Sequence, residues 1–193
     1  MNPIFQHSTY LLKRQVLALT GKLRFYDPTG ELAMFSEQKM FRWKEDIRVY
    51  ADESKTREVL SIKSRQIIDF SAAYDVVDTE TNQKVGALRR KGWRSLLRDE
   101  WEILDENDNV KGLLFEDSIG LALLRRLVVG SWLPQNYDII FGATRVADLR
   151  QKFHLFRYEL NLDFSMDVSR LLDRRLGIAA GILLATMEGK QDN

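Results

Sequence analysis

The chain has 193 residues, 45% hydrophobic and 30% charged, a balance that excludes intrinsic disorder and supports one ordinary domain with a sizeable core. A formal net charge of +1 excludes long-range attraction of the whole molecule to nucleic acid or membrane, so an anionic partner has to be met by a local patch. Cysteine is absent, which excludes disulfides, a thiolate nucleophile and Cys-ligated zinc and fits a reducing cytoplasm.

The opening MNPIFQHSTYLLKRQVLALTGK lacks the charge-then-apolar order of a signal peptide and reads as mature protein. Beyond it the dominant signal is alternation. FRWKEDIRVY puts Phe41, Trp43, Ile47 and Val49 on one face and Arg42, Lys44 and Arg48 on the other. IIDFSAAYDVVD does the same with Ile68, Phe70, Ala72, Tyr74 and Val76 against Asp69, Ser71 and Asp75. YDPTGEL, DTETNQKVG and LDENDNVKG place Asp, Asn, Pro or Gly between apolar runs and look like degenerate copies of one unit: strand, acidic turn, strand.

EDSIGLALLRRLVVGSW, residues 116–132, interrupts the alternation with helix formers behind an acidic and Ser start, and stops before Pro134. Its Ile119, Ala122, Leu123 and Leu127 share a face; with Arg125, Arg126 and Trp132 the segment suits either a membrane surface or a barrel end. FHLFRYELNLDF then resumes period two, with His154, Phe156, Tyr158, Leu160, Leu162 and Phe164 inward and Arg157, Glu159, Asn161 and Asp163 outward. About 12 strands are predicted between residues 10 and 164, joined mostly by short loops, and no proline falls inside one.

The last segment, SMDVSRLLDRRLGIAAGILLATMEG, predicts a helix over 168–188 with Ser165 or Asp167 as N-cap. Residues 176–187 are apolar on every side, and such a helix is buried all round. At 1.5 Å per residue that stretch covers about 18 Å against about 30 Å of bilayer hydrocarbon, so it is too short to span a membrane. Gly177, Gly181, Ala179, Ala180 and Ala185 make it slim. A closed sheet of about a dozen strands is wide enough to hold a central helix, so the expected architecture is mainly β: an antiparallel β-barrel of about twelve strands wrapped around the hydrophobic C-terminal helix. The alternative is a sandwich with the helix on one face. No linker divides the chain, so residues 1–193 are read as one domain.

KSRQIIDFSAAYDV, GALRRKGWRSLLRDEWEI, LALLRR, PQNYDI and DRRLGIAAGILLA, in this order, resemble the LURP-one-related family of the tubby C-terminal-like superfamily in its short bacterial and archaeal form. The resemblance implies a twelve-stranded barrel around a hydrophobic helix. It also implies a membrane theme, since tubby-type domains bind phosphoinositide head groups through Lys and Arg and phospholipid scramblases are assigned the same fold. The acidic calcium segment associated with scramblases has no evident counterpart here, which counts against scramblase-like lipid handling.

The sharpest charge feature is RRKGWR: Arg89, Arg90, Lys91 and Arg94 around Gly92 and Trp93, with Arg98 beyond. These four cations are the candidate ligand-binding residues for an anion or lipid head group, because guanidinium groups offer paired donors to phosphate. Asp99, Glu100 and Glu102 follow at once and can neutralise them in surface pairs instead. His7 and His154 have no metal-ligand spacing, Asp105, Glu106 and Asp108 fall in a turn where Asp is expected, and neither a phosphate loop nor a nucleophile elbow is present. The expectation is a non-catalytic binding module with no metal and no cofactor. Its expected partner is an anionic phospholipid or phosphoinositide-like head group, and not nucleic acid. It is expected in the cytoplasm, peripheral at the membrane. A protein-interaction or scaffold domain is the competing reading, and an enzyme acting at a barrel mouth the third.

Overall fold

A computed structural model describes residues 2–15, 20–39, 46–65, 72–91, 100–116, 135–152 and 157–188. A 3-10 turn at Pro3–Phe5 precedes strands β1 (Thr9–Gln15), β2 (Thr20–Tyr26), β3 (Leu32–Lys39), β4 (Ile47–Tyr50), β5 (Glu58–Ser64) and β6 (Ala73–Asp78). Strands β7 (Gln83–Arg90), β8 (Glu100–Leu104), β9 (Val110–Glu116), β10 (Asn136–Phe141), β11 (Thr144–Lys152) and β12 (Arg157–Asp163) follow, and then one helix, α1 (Arg174–Glu188). Each strand pairs antiparallel with its neighbours in sequence, and β12 closes onto β1 from Thr9 opposite Asp163 to Gln15 opposite Arg157. The expected barrel is therefore closed, not a sandwich, and every described strand has a paired neighbour on each side.

Period two explains the wall. Tyr158, Leu160 and Leu162 of β12 and Tyr10 and Leu12 of β1 are buried, as are Ile47, Val49, Tyr74 and Val76. Phe41, Trp43, Ile68, Phe70, His154, Phe156 and residues 117–132 of the expected helix lie outside the described residues, while Glu116, its expected first residue, ends β9.

The interior is filled by α1, in which every residue from Leu176 to Ala185 is buried. Gly177 and Gly181 sit against β12 and the residue after it. A Cβ on Gly181 would fall 2.8 Å from Leu162 Cδ2, and one on Gly177 2.7 Å from Phe164 Cζ. The small residues thus let helix backbone and barrel wall approach each other. No described helix is long and apolar enough to cross a membrane.

The helix starts six residues later than residue 168, where the sequence suggests. Asp167 is buried and accepts from the backbone N–H of Leu171 and Leu172 and from Arg174 Nη1, which organises a turn rather than a first helical turn. Arg170 is left-handed at φ 52°, a conformation that interrupts a helix. Asp173 is the actual cap, accepting from Arg175 N at 2.9 Å.

The alternating strand directions give the barrel two unlike ends. At one, the turn end, even-numbered strands finish and odd-numbered strands begin. Four of its hairpins repeat one device: Asp27, Asp52, Asp78 and Asp105 each accept a backbone N–H from two residues ahead. Gly30, Lys55, Asn82 and Asp108 supply a left-handed residue in the same turns. Each of these hairpins carries a register shift beside its turn. The sequence repeat of strand, acidic turn, strand is this structure. The helix enters here too, its Arg175 bonded to Asp78 at 2.5 Å and to Asp173 at 2.6 Å.

Candidate functional site

At the other end, the far end, odd-numbered strands finish and even-numbered strands begin. Arg89, Arg90 and Lys91 lie at the close of β7. Because a strand turns successive side chains to opposite faces, Arg89 and Lys91 face outward while Arg90 takes the inward position opposite the buried Trp101. Tyr74 packs beside Trp101, ring centroids 6.0 Å apart. Burial raises the Tyr74 pKa, and the Arg90 charge opposes that rise.

The outward pair meets the carboxylates that follow it in sequence. Arg89 is opposite Glu102 in the ladder and donates to it through Nε at 2.7 Å. Lys91 Nζ donates to Glu100 at 2.6 Å and lies 3.9 Å from Glu102. These are partly exposed pairs, each worth about 0–1 kcal/mol. Arg94, with Gly92, Trp93 and Arg98, lies outside the described residues.

Three other cations at the far end are exposed and have no ion-pair partner among the described residues: Lys63 at the end of β5, Lys152 at the end of β11 and Arg157 at the start of β12. Lys152 stands opposite Glu159, two residues along from Arg157 on the same outer face. This register makes Lys152 and Arg157 diagonal neighbours, with Cα atoms about 7–8 Å apart. Sequence reading passed over them because no cluster marks them; strand parity, which sends the end of β11 and the start of β12 to the end that holds Arg89, is the signal that would have found them.

The turn end carries a set of acids with a structural task. Asp27, Asp52, Asp78, Asp105, Asp163, Asp167 and Asp173 all sit at the turn end, each accepting a backbone N–H there. The turn that holds Asp105, Glu106 and Asp108 is spent on this work. Asp105 accepts from Asn107 N and Asn109 N, and Asp108 accepts from Arg65 and Lys84. Among the described residues, no group of three or more His, Asp or Glu side chains could hold a metal ion.

One comparison with known proteins gives a match. The model of the LURP-one-related family matches residues 32–185, from the start of β3 to the last fully buried turn of α1. The chain belongs to the LURP-one-related family. Strands β1 and β2 precede the matched region, yet β1 supplies the seam that closes this family member's barrel. No curated protein and no solved structure gives a match.

Proposed function

We propose that this LURP-one-related domain is a non-catalytic binding module that recognises anionic phospholipid head groups on a membrane surface through the far end of its barrel. The observation that carries the reading is the pair of exposed cations Lys152 and Arg157 on adjacent strands, at the end remote from the acidic turns and without ion-pair partners among the described residues. Arg89, Arg90 and Lys91 lie at the close of β7, at the same end, and Arg94, the fourth candidate, lies outside the described residues. Arg89 and Lys91 contribute less than formal charge suggests, because Glu102 and Glu100 already hold them.

Vesicle co-sedimentation tests this. Wild-type protein should sediment with phosphatidylserine-containing vesicles at low salt, stay in the supernatant with pure phosphatidylcholine, and be released as salt rises. At about 1 kcal/mol per cation near an anionic surface, Lys152→Glu with Arg157→Glu should weaken binding by at least about thirtyfold. Arg89→Glu with Lys91→Glu should weaken it less. Wild-type protein that never leaves the supernatant rejects the reading.

Docking of a protein is the second reading. It is favoured by the exposure of Val168 (88%) and Leu171 (50%), apolar side chains standing beside the turn-end acids. It predicts capture of a partner by wild-type protein that Val168→Ser with Leu171→Ser no longer captures.

A further inference from the structure

The outer wall holds a feature that the far-end reading does not use. Across β4, β5 and β6, where Arg48 is opposite Ser61 and Ser61 opposite Val77, the outer surface dips into an open groove of about 270 Å³. That is room for about nine liquid waters, or for a molecule of similar bulk. Leu60 and Ile62 point into the barrel, so Ser61 is on the outer face. Outward positions normally meet solvent, yet Ser61 is only 4% exposed.

Its Oγ, and Oγ1 of Thr79 on the same groove, are buried and have no hydrogen-bond partner among the described residues. A hydroxyl hidden without a partner is unfavourable, so two of them along one groove call for a ligand that bonds to both. The remaining polar walls carry charges of both signs. Arg48 gives Nη1 to Glu58 at 3.0 Å. The Lys63 ammonium and the Asp46 carboxylate are exposed and make no ion pair among the described residues.

This lining selects by chemistry. A fatty chain finds almost no apolar wall. A polyphosphate meets two carboxylates, and a divalent cation meets an ammonium and a guanidinium. A molecule carrying one charge of each sign satisfies all of them. Its anionic oxygens take donors from Lys63, Arg48 and the Ser61 and Thr79 hydroxyls, while its protonated amine faces Asp46. We propose that the β4–β6 groove binds a small zwitterion that joins an amine to a carboxylate or a phosphoester. Such chemistry occurs both in free metabolites and in ethanolamine lipid head groups. The proposal does not depend on the far-end reading, whose cations Lys152 and Arg157 lie on other strands.

The test is an amide-resolved NMR titration of the full chain with glycerophosphoethanolamine, with ethanolamine and glycerol 3-phosphate as half-ligands. The expected result is saturable shifts at the amides of Arg48, Ser61, Lys63 and Thr79, with each half-ligand at least tenfold weaker. Ser61→Val and Lys63→Glu should each abolish the shifts. Both positions are on the outer wall, and an unchanged far-field amide spectrum verifies the fold. Lys152→Glu with Arg157→Glu should leave the titration intact. Phosphatidylethanolamine vesicles identify the source: binding that they compete away assigns a lipid head group, and binding that they leave untouched assigns a free metabolite. No saturable shift at these amides with either glycerophosphoethanolamine or the vesicles overturns the proposal, as does equal affinity for a half-ligand.

Discussion

Asp78 and Arg175 are 97 positions apart in sequence and form the ion pair that fastens the helix entrance to the β6–β7 turn. Their side chains are 4% and 16% exposed, so neither charge is well hydrated. Burial works to raise the Asp78 pKa, but the N–H groups of Thr81 and Glu80 and the Arg175 guanidinium outweigh it and hold the carboxyl below its ordinary value. For Arg175 the hydrogen bond to Asp173 is the largest influence, and its pKa is raised. Removing one partner of a buried pair leaves the other charge uncompensated, at a cost of about 3–5 kcal/mol. Arg175→Ala should therefore destabilise by about 3 kcal/mol, the lower figure because Asp78 keeps its two backbone donors. Chemical denaturation measures this, and a loss below about 1 kcal/mol shows that the pair is incidental.

Helix α1 can be read as an element because its glycines are not equivalent. A Cβ at residue 177 meets the Phe164 ring, which is fully buried and lies beneath the Arg174 guanidinium at 4.9 Å. A Cβ at residue 181 meets the end of the Leu162 side chain, which can rotate away. Alanine gains about 1 kcal/mol of helix propensity at either site, while overpacking of a rigid neighbour costs about 1–3 kcal/mol. Gly177→Ala should lower the unfolding midpoint and Gly181→Ala should leave it nearly unchanged; the reverse order contradicts this packing. The burial of this helix was legible because it is apolar on every side. Its start was not, since Asp167 resembles a cap in sequence but bonds forward to Leu171 and Leu172. Strand faces were legible wherever period two ran clean, as in β12. The candidate site was legible only as a charge cluster. Its division between Arg89 and Lys91 outside and Arg90 inside follows from the same period, whereas the seating of Ser61 in a groove depends on side chains from three strands.

For the whole molecule, the repeated turns concentrate acid-sensitive groups at one end. Hydrogen bonds from Thr29 and Ser54 lower the pKa values of Asp27 and Asp52, and bonds from Arg65 and Lys84 lower that of Asp108. Burial pushes Asp105 up, but its bonds from Asn109, Lys111 and Asn107 bring it down to about 2. A carboxyl whose folded pKa is depressed stabilises fully above its unfolded value, near 3.9, and loses that contribution as pH falls through the folded value. The unfolding midpoint should accordingly drop between about pH 4 and pH 2, with amides of Asn107 and Asn109 losing hydrogen-exchange protection before those of β12. A flat midpoint over that range contradicts the turn chemistry. Assembly order carries a different constraint. The seam strand β12 and the filling helix α1 are the last of these elements to be synthesised, whereas β1, the other lip of the seam, is the first strand made. Closure of the barrel therefore has to wait for the C-terminal elements: only once α1 is in place and β12 meets β1 are both lips of the sheet paired and its apolar interior filled.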